Sequence, residues 1–312
     1  MVNDIGLLSQ EESVLELNGN TMHTAREWTI FQCGIILQKS GIIMNFKYGL
    51  LLLGALLFLF SCKKRTDHYP DTTIGGHACA GLHISSSNYH DNSLEAYRYA
   101  RSFEEIEMVE VDVQVSLDGT LWLFHDPELD IESTGSGKIP QKHDDYLSGL
   151  NYKSLEKEKV IRLLDLPSDL KGICLVFDLK ESDGMGGIVD STLLYDALLQ
   201  AYNYFNNGAL AIISNTGRFF DALHYQTNYS TYYSAKNAEA YLNSPHLGYS
   251  GGVAFRNSDI TDTDVDLIKS ITNRRVIIYD VRSPQGIRSA LHKRPNFLLT
   301  DDIKATLIEK YQ

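Results

Sequence analysis

Two carboxylates separated by one residue stand in an apolar stretch of the chain. In MVEVDVQVS (residues 108–116), Glu110 and Asp112 alternate with four valines. Alternate residues of a strand face opposite sides, so the two carboxylates share one face, about 7 Å apart along the strand. Buried carboxylates are costly unless a cation balances them, and hard divalent ions take oxygen ligands. The pattern predicts a divalent metal site. An edge strand with a solvated polar face is the alternative, although covered parallel strands leave no such face.

A second apolar run, ICLVFDLK (residues 173–180), repeats this arrangement. Asp178 and Lys180 share a face near the carboxyl end of the strand, which is the end that holds catalytic groups in α/β barrels. Asp178 has two interpretations. It is a further metal ligand, or it forms an ordinary ion pair with the lysine two residues away.

Two histidines follow strand-like runs. His77 lies in the small-residue segment GGHACAG, and His125 ends LWLFHD after an Asp118-Gly119 turn, a pair typical of hairpins. A histidine can accept and donate a proton near neutral pH, so the two together could form an acid–base pair. Taken singly, each would more often be an ordinary core or surface residue.

The positioning elements are strands that alternate with helical segments. Eight strands in this order predict a (β/α)8 TIM barrel in one catalytic domain, with a doubly wound open sheet as the alternative. The predicted strands cover residues 72–76, 108–116, 173–180, 210–214, 230–234, 251–255, 275–281 and 296–300. The clearest helices are SLEAYRYARSF, TDVDLIKSIT, PQGIRSALHK and IKATLIEKY.

The region before the barrel divides into three parts. The apolar run at residues 48–60 is shorter than the roughly 20 residues that cross a bilayer, but it has the length of a signal-peptide core. Leu59-Phe60-Ser61-Cys62 resembles a bacterial lipobox. We therefore expect a lipoprotein signal peptide at 44–61, lipidation of Cys62, a linker at 62–71 and the barrel at 72–312. Residues 1–43 are interpreted as a mis-called extension. These features predict an exported bacterial lipoprotein that is anchored to the membrane on the periplasmic or cell-surface side.

The overall charge limits the partners. The formal net charge is -12, with 43% hydrophobic and 22% charged residues, which is typical of a globular protein. Such a charge opposes nucleic-acid binding, because backbone phosphates would be repelled. A small phosphate ester is not excluded, since a bound metal ion can dominate the local field.

Together these segments resemble the glycerophosphodiester phosphodiesterase family, which is related to the sphingomyelinase D-like and phosphatidylinositol phospholipase C-like barrels. The resemblance rests on GGHACAG, HDNSLEAYRYA, VEVDVQVSLDGTLWLFHDPEL, FDLK and LLTDD, in this order over residues 72–312. Its most specific part is Glu-x-Asp, an Asp-Gly turn and then His-Asp at this spacing. The resemblance implies a (β/α)8 barrel that hydrolyses glycerophosphodiesters to glycerol 3-phosphate and an alcohol.

The resemblance also implies a role for individual residues. A neighbouring hydroxyl of the substrate would attack phosphorus, and water would then open the cyclic phosphate. The implied roles are Mg²⁺ or Ca²⁺ binding for Glu110, Asp112 and Asp178, phosphate contact for Lys180, acid–base catalysis for His77 and His125, and support behind the ligands for Asp91 and Asn92.

Two departures from the family pattern leave alternatives open. Ala78 stands where the family has an arginine that contacts phosphate, and Asp178 stands where it usually has glutamate. The aspartate is similar to sphingomyelinase D-like relatives, so a phospholipase acting on choline lipids is one alternative. A barrel that binds a phosphodiester without turnover is another. The expected partners are a small glycerophosphodiester or a phospholipid head group, and the membrane through the lipid anchor.

Overall fold

The alternating valines of residues 108–116 form one strand of a closed barrel. The structure is a computed structural model, and it describes residues 68–80, 88–205, 208–248 and 251–311. The predicted signal peptide, Cys62 and residues 1–43 lie outside them. The strands are β1 (Thr73–Gly76), β2 (Met108–Val115), β3 (Leu121–Leu123), β4 (Cys174–Leu179), β5 (Ala209–Ser214), β6 (Ser230–Ser234), β7 (Gly252–Arg256), β8 (Arg275–Tyr279) and β9 (Phe297–Thr300).

Eight of these strands close into a parallel barrel. The hydrogen-bonded order is β1-β9-β8-β7-β6-β5-β4-β2, and β1 also pairs with β2, which joins the two ends of the sheet. This closure confirms the (β/α)8 prediction and excludes the open doubly wound sheet. β3 pairs antiparallel with β2 across the Asp118-Gly119 turn, as the hairpin signal predicted.

Most helices cover the outside of the sheet, and two short ones between β3 and β4 pack in a separate apolar cluster with β3. The helices are α1 (Leu94–Ala100), α2 (Leu129–Glu132), α3 (Asp144–Leu147), α4 (Ser191–Tyr204), α5 (Phe220–Gln226), α6 (Ala238–Leu242), α7 (Asp262–Thr272), α8 (Pro284–His292) and α9 (Ile303–Lys310). Short 3₁₀ turns include His77–Cys79 and Asn257–Asp259. The four helices named from the sequence are α1, α7, α8 and α9; Ser93 caps α1 and Pro284 opens α8. Among the residues described, no helix is long and apolar enough to cross a membrane.

The strand alternation separates two apolar layers. The β2 valines and Leu175, Phe177 and Leu179 of β4 pack outward against the helices. Val176 and Met108 pack inside the barrel. Glycine is required at position 75, because a Cβ there would lie 2.9 Å from both Leu299 Cδ2 and Met108 Cβ. The polar side chains of β2 therefore point into the barrel, where they can contribute to a site at its mouth.

Candidate active site

The strand ends bring the predicted polar residues to one mouth of the barrel. His77 follows β1, Glu110 and Asp112 lie in β2, Asp178 is the penultimate residue of β4, and Lys180 follows that strand. In parallel barrels the carboxyl ends of the strands surround one cleft, so side chains from strands far apart in sequence can meet there.

Three carboxylates form an acidic group at this mouth. One carboxylate oxygen each from Glu110, Asp112 and Asp178 lies within 4.8 Å of the others. The register of the β2–β4 pair places Asp112 opposite Asp178, which accounts for the meeting of the two strands' carboxylates. Glu110 and Asp112 are each only 2% exposed. Their oxygen donors have the type and spacing that a hard divalent cation prefers.

The electrostatics of this group indicate a shortage of positive charge. Burial and the charge of Asp112 raise the pKa of Glu110 to about 8, against the opposing charge of His77. The Oε1 atom of Glu110 is buried and has no hydrogen-bond partner in the part of the chain that the structure describes. A divalent cation would satisfy both the buried oxygen that has no partner and the carboxyl that resists ionisation, so the residues present fit such an ion.

Lys180 partly neutralises the acidic group. Its Nζ atom lies 2.7 Å from Asp112 Oδ1 and 2.6 Å from Asp178 Oδ2. Burial alone would raise the pKa of Asp112, but the Lys180 ammonium lowers it to about 2. Burial would likewise lower the pKa of Lys180, whereas the charges of Asp178 and Asp112 raise it well above its ordinary value. Asp178 therefore forms the ion pair with Lys180 and also belongs to the carboxylate group, and its role as a metal ligand stays a prediction.

His77 is held by an aspartate that sequence patterns did not identify. The Nδ1 atom of His77 lies 3.0 Å from Asp301 Oδ1, and its Nε2 atom lies 3.9 Å from Glu110 Oε2. Burial would lower the pKa of His77, but the Asp301 hydrogen bond and the charges of Glu110, Asp301 and Asp112 raise it to about 10. Asp301 directly follows β9, within the LLTDD segment of the resemblance. Because Asp301 occupies Nδ1, it fixes which ring nitrogen faces the acidic group.

His125 is more open to solvent than His77. Its side chain is 45% exposed, against 17% for His77, and its Nδ1 atom lies 2.9 Å from Asp126 Oδ1. Gln114 Nε2 donates to the carbonyl oxygens of Phe124 and Asp126, which holds the segment after β3 in place. His125 shares a cleft of about 440 Å³ with Asp178 and Lys180. The cleft gives His125, Asp178 and Lys180 access to one small substrate.

The residues predicted to support the metal ligands differ in what they contact. Asn92 Nδ2 donates to Asp112 Oδ2 at 2.8 Å, and the Asp112 N–H donates back to Asn92 Oδ1 at 2.9 Å. Asp91 contacts His90 instead, with 2.5 Å between its Oδ1 and Nδ1 of the ring. Ala78 is buried, and its N–H donates to Glu110 Oε2 at 2.7 Å, so this position orients a carboxylate through the backbone.

A second group of titratable side chains was not identified from the sequence. His90, Asp91 and Glu132 each place a possible ligand atom within 4.8 Å of the others. Burial and the charges of Asp91 and Asp126 raise the pKa of Glu132 to about 7, and its Oε2 atom is buried without a hydrogen-bond partner among the residues described. Glu132 ends the short helix α2 between two barrel strands, where no alternation of residue types marks it.

The far wall of the cleft is polar and hydrogen-bonded. Glu181 is buried there and accepts hydrogen bonds from Ser214, Thr216 and the Nε atom of Arg218, the last at 2.6 Å. Arg218 also donates to the carbonyl of Val189, which ties the segment after β4 to the segment after β5. This network shapes the space beside Lys180.

Comparison with known proteins gives one family match. Residues 85–177 match the model of the glycerophosphoryl diester phosphodiesterase family. This match confirms the resemblance inferred from the motifs, and it includes both β2 carboxylates and His125. No curated protein sequence matches the chain.

Solved structures share the fold at low identity. A phosphodiesterase from Oleispira antarctica in complex with the product sn-glycerol-3-phosphate is 19% identical, with a TM-score of 0.64 over 76% of this chain and 95% of that one. A glycerophosphodiester phosphodiesterase from Parabacteroides distasonis is 17% identical, with a TM-score of 0.60 over 77% and 96%. One from Agrobacterium tumefaciens is 15% identical, with a TM-score of 0.58 over 76% and 98%. At these identities the likeness supports the barrel fold alone.

Proposed function

We propose that this chain belongs to the glycerophosphodiester phosphodiesterase family, which its match over residues 85–177 supports, and that it is a metal-dependent hydrolase of glycerophosphodiesters. The expected products are glycerol 3-phosphate and an alcohol. The observation that carries the proposal is the meeting of two histidines, three carboxylates and one lysine at a single barrel mouth. A binding protein needs no paired acid and base, so this arrangement favours catalysis over binding alone.

The acidic group would hold the divalent cation, Mg²⁺ or Ca²⁺, through Glu110, Asp112 and Asp178. When bound, such a cation neutralises the nonbridging oxygens of the phosphodiester and orients the attacking hydroxyl. Asn92 and the Ala78 N–H hold the oxygens of Asp112 and Glu110, which limits their movement when substrate arrives.

The protein's own groups then move the protons. A neighbouring hydroxyl of the glycerol attacks phosphorus, one histidine removes its proton, and the bond from phosphorus to the alcohol oxygen breaks. The other histidine protonates that oxygen, so the alcohol leaves neutral and a cyclic phosphate remains. Water opens the ring with the same two groups in reversed roles. Asp301 and Asp126 orient His77 and His125 for these transfers, and Lys180 contacts the phosphate oxygens.

The test uses a defined substrate and two single variants. The protein is incubated with glycerophosphocholine and added Mg²⁺ or Ca²⁺, and both glycerol 3-phosphate and choline are measured. His77→Ala and His125→Ala should each lower kcat by about 10²–10⁴-fold, the usual contribution of a general acid or base. His143→Ala is the matched control, because His143 also pairs with an aspartate, Asp118, but is exposed. Wild-type rates in both variants would refute the mechanism.

Choline lipids test the alternative that Asp178 suggested. Release of choline from sphingomyelin, with no cleavage of glycerophosphocholine, would favour the sphingomyelinase D-like activity. Binding of a diester without any turnover would favour a non-catalytic barrel.

We also propose that the protein is exported and anchored through lipid on Cys62. The support for this is the sequence alone, in the apolar run at residues 48–60 and the lipobox-like ending. An anchored enzyme would work next to the bilayer, where deacylated phospholipids are released.

A further inference from the structure

Two arginines lie beside His77 at the carboxyl ends of neighbouring strands. Arg256 is the last residue of β7, and Arg282 follows β8. Asp280 holds both of them: its Oδ2 atom lies 2.8 Å from Arg256 NH1, and its Oδ1 atom lies 2.9 Å from Arg282 Nε. Asp280 has a φ of 61°, in the left-handed region that aspartate tolerates better than most residues. We call Arg256 and Arg282 the arginine pair.

Each arginine is separated from the histidine by a single group. Arg282 Nε lies 3.7 Å from Asp301 Oδ2, while His77 contacts the other oxygen of the same carboxylate. The Arg256 guanidinium lies 5.7 Å from the centre of the Tyr279 ring, and the His77 ring lies 6.0 Å from the same ring between centroids. When a phosphodiester contacts His77 with its head group on the side of Asp301 and Tyr279, that head group therefore extends toward the arginine pair.

The pair is placed to bind rather than to stabilise. The side chains of Arg256 and Arg282 are 54% and 44% exposed, and ion pairs this open to solvent contribute little to folding. One nitrogen of each guanidinium contacts Asp280, so each guanidinium has further N–H groups outside that contact. Planar guanidinium groups bind oxyanions through two parallel hydrogen bonds, which phosphate accepts well.

Two other cations of this mouth are already paired with carboxylates. Lys180 contacts Asp112 and Asp178, and Arg218 contacts Glu181. The two guanidinium groups share Asp280, and Arg282 also lies 3.7 Å from Asp301, the carboxylate that contacts His77. The arginine pair thus places two positive charges beside the reacting centre of a chain whose net charge is -12.

We propose that the arginine pair is a subsite for an oxyanion, foremost a second phosphate, carried by the alcohol part of the diester. The protein would then prefer glycerophosphodiesters whose head group bears a phosphate over those with a neutral or cationic head group. This inference rests on the proposed function and adds a substrate class to it.

Two substrates that differ by one phosphate provide the test. Glycerophosphoinositol 4-phosphate and glycerophosphoinositol are compared by kcat/KM under equal metal and salt. We expect wild type to prefer the phosphorylated compound by about tenfold or more, the size of one hydrogen bond between charged groups. In Arg256→Gln/Arg282→Gln the ratio should fall to about one. Arg288→Gln should keep the wild-type ratio, because Arg288 forms a similar 2.8 Å ion pair, with Glu309, on the outer helices.

Each result decides between this subsite and its rivals. A wild-type ratio of one or less, or an unchanged ratio in the double variant, overturns the proposal. Equal losses on both compounds would mean that the arginines contact the reacting phosphate, which also overturns it. If wild type cleaves neither compound, the glycerophosphocholine assay decides the proposed function separately. Calorimetric binding of the two uncleaved compounds then decides the subsite, since tighter binding of the phosphorylated one, lost in the double variant, still supports it.

Discussion

Replacing Asp301 by asparagine tests how the barrel orients its first histidine. The change keeps the size of the side chain but removes the charge that faces His77 Nδ1 at 3.0 Å. An amide can present its NH₂ group to that nitrogen, which would place the ring proton on the wrong side for transfer at Nε2. Folding should persist, because the shape of the buried side chain is nearly unchanged.

The expected loss follows from the hydrogen bond and the tautomer. A hydrogen bond to a charged group contributes about 1.5–3 kcal/mol, and at the upper value its removal lowers the rate about 10²-fold. Loss of the correct tautomer can extend the loss to about 10⁴-fold. We therefore expect kcat on glycerophosphocholine to fall by about 10²–10⁴-fold in Asp301→Asn.

Two measurements distinguish a positioning role from a general structural one. In chelated protein, NMR titration should find a lower pKa for His77 in Asp301→Asn than in wild type, because the carboxylate charge that raises it is gone. In the His77→Ala background, Asp301→Asn should have little further effect on kcat, since the two residues act as one unit. A wild-type kcat in the single variant, or a full second loss in the double variant, refutes the reasoning.

Three further predictions concern the metal, pH and location. Chelation should abolish activity, and Glu110→Gln should weaken Mg²⁺ binding measured by calorimetry; an unchanged affinity would remove Glu110 from the ligand set. Glu132 has a folded pKa raised from 4.5 to about 7, so its contribution to stability falls as pH rises through that window. Between pH 5 and pH 8, Glu132→Gln should therefore gain on the order of 1 kcal/mol relative to wild type in urea unfolding, a value discounted for the partial exposure of Glu132, and no pH-dependent difference would contradict this. Cys62→Ser should leave uncleaved precursor and lose detergent-phase partitioning; unaltered processing and membrane retention would rule out the lipobox.

Strand periodicity made the acidic group predictable. A repeat of two residues assigns Glu110 and Asp112 to one face of the strand whatever the tertiary structure. In a closed parallel sheet the other face packs against the helices, so the face with the carboxylates points into the barrel. Asp178 and Lys180 followed by the same rule on β4. The hairpin that leads to His125 was also predictable from local sequence, because the Asp118-Gly119 turn joins adjacent strands.

The partners of these residues depended on contacts that no local pattern records. Asp301 is 224 residues from His77 in sequence, and it appears in the chain only as one acidic residue after a strand. The arginine pair likewise consists of single cations on separate strands, and their proximity to His77 is set by barrel order. Glu132 lies in a short helix whose placement depends on the packing of the segment between β3 and β4.

The contact between His77 and Asp301 crosses the seam at which the barrel closes. β1 and β9, the first and last strands of the barrel, pair in parallel from Thr73 opposite Phe297 to Gly76 opposite Thr300. At the far end of this seam, Lys310 Nζ donates to the carbonyl of Thr72 at 2.6 Å. Because the seam is held at both ends, opening it would separate His77 from its aspartate while leaving the β2–β4 carboxylates together. Acid–base catalysis should therefore be more sensitive than metal binding to any change that weakens the contact between β1 and β9.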